Sequence, residues 1–348
     1  MGDRPTAEAA CTDGGPPFSH ISCPLDAAPP PLFDAANLCE SAVHHTQRER
    51  IMIEHIIEPR RRDLGGFEVA RVLPHTARRM VGPFVFFDVM GPVHFQPGLA
   101  RSVDVRPHPH IGLATVTYLF DGEIMHRDSV GSEQPIRPAE VNWMVAGRGI
   151  THSERFERAR MHGDHLHGIQ AWVALPVEHE EVMPSFSHHR GNDLPTMRDK
   201  EVVVHLIAGE LMGMKAAVST HSPLFYAHVE LAAGATLSLP VSLGERAAHV
   251  VAGSVLVDGK TFGADRMLVF RSGADVVVRA QSPARLMLLG GESVGPRHVE
   301  WNFVSSSLER LEQAKADWRA QRMKLPDLDA GEFIPLPGDP PPAANPMS

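Results

Sequence analysis

From Ile51 onward the chain alternates short apolar or alternating stretches with clusters of turn-forming residues. The stretches fall at Phe67–Val72, Ala114–Phe120, Val141–Ala146, Ile169–Leu175, Val202–Ile207, Phe225–Leu231, His249–Val257, Met267–Phe270, Val276–Ala280 and Leu286–Leu289. Asp121-Gly122 and Asp258-Gly259 favour tight hairpin turns, and Gly234 and Gly273 mark others. Short strands with turns every 8–12 residues or so predict an all-β sandwich or barrel rather than βαβ units. One helix is expected near the end. Ser306 followed by Glu309 reads as a capping box, and Leu308, Leu311, Lys315 and Trp318 then share a face that would pack on a sheet.

Two segments of the first half have counterparts in the second. A strand ending at Gly122 corresponds to one ending at Gly253, and Pro138–Gly147 corresponds to Gly263–Gly273: a polar turn, an apolar strand, then glycine. Two matches in the same order predict a duplicated β-barrel.

Composition sharpens this picture at three points. A length of 348 residues suggests two domains of about 150 each. A formal charge of −9, with 22% charged and 43% hydrophobic residues, suits a globular chain and argues against nucleic acid or an anionic membrane as a direct partner. Of 30 prolines, seven lie within Pro5–Pro31 and seven within Pro326–Pro346. Residues 1–50 and 326–348 are therefore expected to be poorly ordered extensions. Cys11, Cys23 and Cys39 all fall in the first extension, with no zinc spacing and no apolar leader before them. The most apolar run, Val81–Phe95, is broken by Pro83, Asp88 and Pro92, too short to span a bilayer. A cytoplasmic location is expected.

The histidines carry the chemistry. Eleven of 21 lie between His94 and His189. His108-Pro-His110 is followed by His152-Ser-Glu154, and residues i and i+2 of a strand point to one side about 6–7 Å apart. Each pair can thus aim two ligands at one point, and three imidazoles with a carboxylate suit a divalent first-row metal with room for water, substrate or dioxygen. Aligning Gly122 with Gly253 sets His108 and His110 opposite Leu239 and Val241. Aligning Gly147 with Gly273 sets His152 and Glu154 opposite Val278 and Ala280. One barrel would then hold metal while the other is packed shut. His167, in the cluster His162, His165 and His167, is expected to orient a ligand, line the pocket mouth or lie exposed. His94, His126, His188, His189 and His249 are read as bystanders, and the four tryptophans as core or interface anchors. No Gly-x-Ser-x-Gly elbow or phosphate-binding Gly-x-x-x-x-Gly-Lys occurs.

Arg106-Pro-His-Pro-His-Ile-Gly112, Thr115–Tyr118 and Asp121–Asp128 resemble the first metal-binding motif of the pirin family of bicupins. Asn142-Trp-Met-Val-Ala-Gly-Arg-Gly-Ile-Thr-His-Ser-Glu154 resembles the second, and His167–Val173, Trp301–Ser307 and Glu312–Trp318 are pirin-like too. The resemblance spans roughly residues 55–322. It implies two stacked cupin barrels with a C-terminal helix: a metal-binding domain at 51–185, a second without ligands at 186–322, and a proline-rich tail at 323–348. By position the family's ligands fall on His108, His110, His152 and Glu154. The implied cofactor is one divalent ion, Fe(2+) first, with Mn, Ni, Cu, Co or Zn as alternatives. The implied activity is that of a quercetin 2,3-dioxygenase-like oxidoreductase, with a small aromatic substrate and O2. Glu154 would take the substrate proton. The other reading is a metal-dependent regulator that binds a protein partner without turnover. Ala139-Glu140 stands where the family usually has Gly-Asp. Ile111, Leu113 and Ala114 replace what are commonly a basic residue, an aromatic and an acid, which bears on pocket polarity.

Overall fold

The computed structural model describes residues 52–63 and 66–340. The first extension and its three cysteines lie outside the described residues. In chain order the strands of the first half are β1 (Ile53–Ile57), β2 (Arg60–Asp63), β3 (Glu68–Leu73), β4 (Phe84–Phe95), β5 (Val105–His110), β6 (Leu113–Asp121), β7 (Ile124–Asp128), β8 (Glu133–Ile136), β9 (Val141–Val145), β10 (Ile150–Arg155), β11 (Asp164–Ala174) and β12 (Ser185–His189). Then follow β13 (Thr196–Asp199), β14 (Val202–Leu211), β15 (Met214–Lys215), β16 (Leu224–Leu231), β17 (Thr236–Leu239) and β18 (Glu245–Ala252). The last are β19 (Ser254–Val257), β20 (Lys260–Gly263), β21 (Arg266–Phe270), β22 (Val276–Ala280) and β23 (Ala284–Gly291).

These strands build two barrels of the same plan. A large sheet ordered β12-β9-β6-β11-β4-β3-β2 and a small one ordered β5-β10-β7-β8 form the first. A large sheet ordered β1-β21-β18-β23-β16-β14-β13 and a small one ordered β17-β22-β19-β20 form the second. The barrels stack through their large sheets. Phe87, Val116, Tyr118, Trp143, Ile169 and Ala171 of one share a single apolar core with Ile207, Tyr226, Ala247, Val269 and Leu289 of the other. This explains why β6 reads Leu-Ala-Thr-Val-Thr-Tyr with every residue buried: both of its faces are covered. By contrast β22, Val-Val-Val-Arg-Ala, is buried only at alternate residues, as befits a strand with one wet face.

The fold differs from expectation in four places. The boundary between 185 and 186 cuts through β12, which pairs with β9 of the first barrel, while β1 pairs with β21 of the second. The run His249–Val257 is two strands. Gly253 divides them at φ +75°, and a Cβ there would collide with the Pro283 carbonyl. The helix begins one residue late. Ser306 is drawn off to the Glu180 carboxylate, and the Ser307 hydroxyl accepts the Arg310 amide, so the helix runs Leu308–Arg319 with Leu308 exposed and Leu311, Ala314 and Trp318 buried. Finally, the proline-rich end is docked as far as residue 340. Asp329 grips Arg155 with two hydrogen bonds of 2.6 Å and accepts from Ser153, and the Ile334 amide donates to the Pro107 carbonyl. The proline-rich segment carries only a short 3-10 turn, Asp327–Asp329, yet it lies on the protein surface rather than free of it. No helix among the described residues is long and apolar enough to cross a membrane.

Candidate metal centre

The small sheet of the first barrel brings the predicted histidines together. β5 pairs with β10 so that His108 faces His152 directly, and the Ile150–His110 pair adjoins it. All three rings are buried, and their ligand atoms lie within 4.8 Å of one another. Glu154 follows on the same strand beyond a register shift between His152 and Glu154, and its carboxylate is not within that distance of all three histidines. It lies opposite His126 of β7, with no hydrogen-bond or ion-pair partner among the described residues. Loss of surrounding water pushes its pKa up to about 7.

Hydrogen bonds decide where each ring keeps its lone pair. A carbonyl only accepts, so His108 Nδ1 donates to the Arg106 carbonyl (2.9 Å) and His110 Nδ1 to that of Asn302 (3.0 Å). In both, Nε2 is left as a lone pair when the ring is neutral. For His152 the logic runs through a relay. Asp128 Oδ1 accepts the Val130 and Ser132 amides, and its Oδ2 accepts from His126 Nε2 at 3.0 Å. With the His126 ring neutral its Nδ1 is an acceptor, so His152 Nδ1, 3.3 Å away, is the donor, and its Nε2 is again a lone pair. His110 Nε2 and His152 Nε2 therefore oppose lone pairs at 3.1 Å. That arrangement is repulsive unless a cation shares the two, and the donor set fits a divalent metal.

Burial holds the rings in the ligating state. Loss of water, then the neighbouring imidazoles, drives His110 and His152 well below the usual histidine range, and His108 falls to about 4, chiefly by desolvation. Neutral imidazole binds metal without first losing a proton. Aromatic side chains wall the site: Trp172 meets His110 edge-on at 5.0 Å, Phe86 stacks on Trp172 at 4.0 Å, and Phe186 stacks on His126 at 4.5 Å.

Two histidine readings need correction. His126, read as a bystander, fixes the tautomer of His152; the signal was His126-x-Asp128, the same two-residue spacing as His108-x-His110. His167 does not orient a ligand. It shares its face of β11 with Ile169 and Ala171, which enter the core between the barrels, and its ring packs on Phe120 at 4.9 Å. Trp143 and Trp318 are buried in cores, as anticipated. The second barrel lacks ligands, but the matched residues shift by two. The turn at Val241–Leu243 lengthens the loop before β18, so Leu237 and Leu239 of β17, not Leu239 and Val241, pair with Val278 and Val276. All four are buried, whereas Val241 is exposed.

Two cupin barrels, one carrying a buried three-histidine centre and the other filled, define a bicupin with one candidate metal site among the described residues. Residues 66–173 match the family model described as Pirin, and residues 226–324 that of the Pirin C-terminal cupin domain. A pirin-like protein of Caulobacter vibrioides is 61% identical over 287 residues, covering 82% of this chain and all of that one. A putative quercetin 2,3-dioxygenase of Pseudomonas aeruginosa is 38% identical, over 77% of this chain and 84% of that protein. The crystal structure of quercetin 2,3-dioxygenase from Acinetobacter baumannii superposes with a TM-score of 0.75 at 32% identity, covering 83% of this chain and 96% of that one. The chain belongs to the pirin family.

Proposed function

We propose that the protein is a non-haem metal dioxygenase that opens the heterocyclic ring of a flavonol, or of a related enolisable polyphenol, with O2. The observation that carries this reading is the clustering of three buried imidazoles, with ligand nitrogens within 4.8 Å of one another, inside an aromatic-walled barrel. The quercetin dioxygenase names of two relatives supply the substrate class. His108, His110 and His152 would hold one divalent ion, iron first, with Glu154 joining as the carboxylate ligand. Bound there, the metal would act as a Lewis acid that lowers the pKa of the substrate's enolic hydroxyl. Glu154, lacking any other partner, takes the hydroxyl proton. His126 and Asp128 keep His152 oriented, and the aromatic wall of Phe86, Trp172 and Phe186 excludes water and seats a flat ring.

Anaerobically iron-loaded protein should consume O2 when given quercetin; no consumption with iron, manganese, nickel or copper would sink the reading. The ligand set is checked separately by metal analysis. His110→Ala and Glu154→Ala should lower bound metal about 100-fold or more in affinity without unfolding the chain, while His249→Ala should not.

A further inference from the structure

Six polar residues form one unbroken row across the large sheet of the first barrel. Cross-strand pairing runs His188↔Asn142, Asn142↔Thr117, Thr117↔Gln170, Gln170↔Asp88 and Asp88↔Arg71, one residue from each of β12, β9, β6, β11, β4 and β3. Their strand neighbours Val116, Trp143, Ile169 and Phe87 point the other way, into the core between the barrels, so the row faces the small sheet that carries the histidines.

The next row along is Phe186↔Met144↔Thr115↔Trp172↔Phe86, whose members touch His110 and His126. The polar row thus lies two residues, about 6–7 Å, from the side chains that wall the metal centre. On its far side Leu119, Met90 and Val69 close the barrel with apolar groups.

Asp88, Thr117 and Asn142 of this row are buried and Arg71, Gln170 and His188 half-buried, and a buried polar group is costly unless it is paired. Some are. Arg71 holds Asp88 with bonds of 2.9 and 2.8 Å, the Thr117 hydroxyl donates to Gln170 Oε1 (2.7 Å), and His188 Nδ1 bonds Asn142 Oδ1 (2.8 Å). Two carboxamides are used at one end only. Asn142 Nδ2 is buried with no partner; Gln170 is half-buried, and its side chain is engaged only at Oε1, by Thr117, among the described residues. In the second barrel the equivalent row is Leu206↔Ala227↔Leu288↔Ala248↔Leu268, with no polar member. The fold itself therefore does not ask for polarity there.

We propose that Asn142 and Gln170 are specificity-determining residues that bind hydroxyl oxygens of a flat polyphenol whose enolic end is at the histidine centre. This rests on the flavonol reading above. Aromatic side chains next to the metal accept the rings, and the carboxamides one row on accept the peripheral hydroxyls; a carboxamide suits a hydroxyl because each group both donates and accepts.

The test uses zinc-loaded protein, which is redox-silent, and measures binding by tryptophan fluorescence quenching. Quercetin is compared with 3-hydroxyflavone, which keeps the chelating end but lacks the peripheral hydroxyls. Asn142→Leu and Gln170→Met, made singly so that misfolding of one leaves the other to decide, should each weaken quercetin binding about 10–100-fold. Binding of 3-hydroxyflavone should change less than about three-fold, and zinc content not at all. Equal losses for both ligands, or no loss for either, would overturn the assignment and leave the flavonol reading standing. Failure of the wild-type protein to bind either ligand would overturn both.

Discussion

The two barrels share a strand plan and differ in what fills them. In the first, the small sheet presents His108, His110 and His152 and the facing row presents Asn142, Thr117, Gln170 and Asp88. In the second, the same positions hold Leu237, Leu239 and Val278, facing Ala248, Leu268, Leu288 and Ala227. At these positions both sheets of the first barrel carry polar side chains, and both sheets of the second carry apolar ones. The candidate chemistry is a property of one interior, not of the fold.

The sharpest way to break that comparison is to exchange one residue between the facing rows. Leu288 is fully buried among apolar side chains, so Leu288→Gln should cost about 3–5 kcal/mol of stability, from lost burial plus an unpaired amide. Gln170→Leu, at the matching position, should cost less than about 1 kcal/mol, since it removes one Thr117 hydrogen bond and gains apolar burial. Urea denaturation of the two variants decides it. Equal costs would mean that the interiors are not specialised.

Much of this contrast was legible in the sequence because it is local. Residues two apart on a strand share a face, so the three clustered histidines could be read from spacing; the glycine alignment found Val278 opposite His152 but set the counterparts of His108 and His110 two residues too far along. The polar row was not legible, because its paired members lie from 17 to 82 residues apart in sequence and meet only through strand pairing. The same limit hid the relay: His126 bears on His152 because β7 pairs with β10. The docked C-terminal segment escaped for another reason. Proline content reports on backbone conformation, whereas Asp329 is held by an ion pair formed far away in sequence.

That ion pair marks a second asymmetry. Arg155 lies on β10 next to Glu154 and faces outward, fully buried beneath the C-terminal segment, with Asp329, Glu332 and Asp104 around it. Asp329→Ala leaves a buried guanidinium with weaker partners and should cost about 2–4 kcal/mol. Metal content, measured on the folded fraction, should fall with it, because the strand so clamped carries His152. A variant as stable as wild type would show that the segment is merely laid on the surface.

Burial alone does not make a ligand, and His249 of β18 provides the contrast. It is fully buried against Phe87 in the core between the barrels, and neither ring nitrogen has a partner. Desolvation, with the His167 charge second, holds its pKa at about 3. The folded pKa lies below the unfolded value near 6.5, so the unfolded chain takes up the proton first. The contribution to stability is full above about pH 6.5 and is lost as pH falls toward 3. By pH 4.5 the loss reaches up to about 2.7 kcal/mol. His249→Leu should flatten the fall in Tm between pH 7 and pH 4.5; an unchanged slope would assign acid sensitivity to other groups.

The finest comparison concerns one turn residue. Ala139 precedes β9 and Asp265 precedes β21, and both are left-handed, at φ 64° and 60°. Their amides donate to matching carbonyls, Ala139 to Leu119 at 2.8 Å and Asp265 to Val250 at 2.9 Å, so the two turns perform the same task. An alanine Cβ pays for this conformation, whereas aspartate tolerates it through its short polar side chain. Ala139→Gly should therefore raise stability by about 0.5–1 kcal/mol, the relief of strain exceeding the added freedom of the unfolded chain. Asp265→Gly should change it by less than about 0.3 kcal/mol, since the exposed contact with Arg61 at 4.0 Å contributes little. Denaturation midpoints of both variants measure the difference. A gain of the same size in each would show that the strain belongs to the turn geometry, and that replacing the family's glycine by Ala139 costs the first barrel nothing of its own.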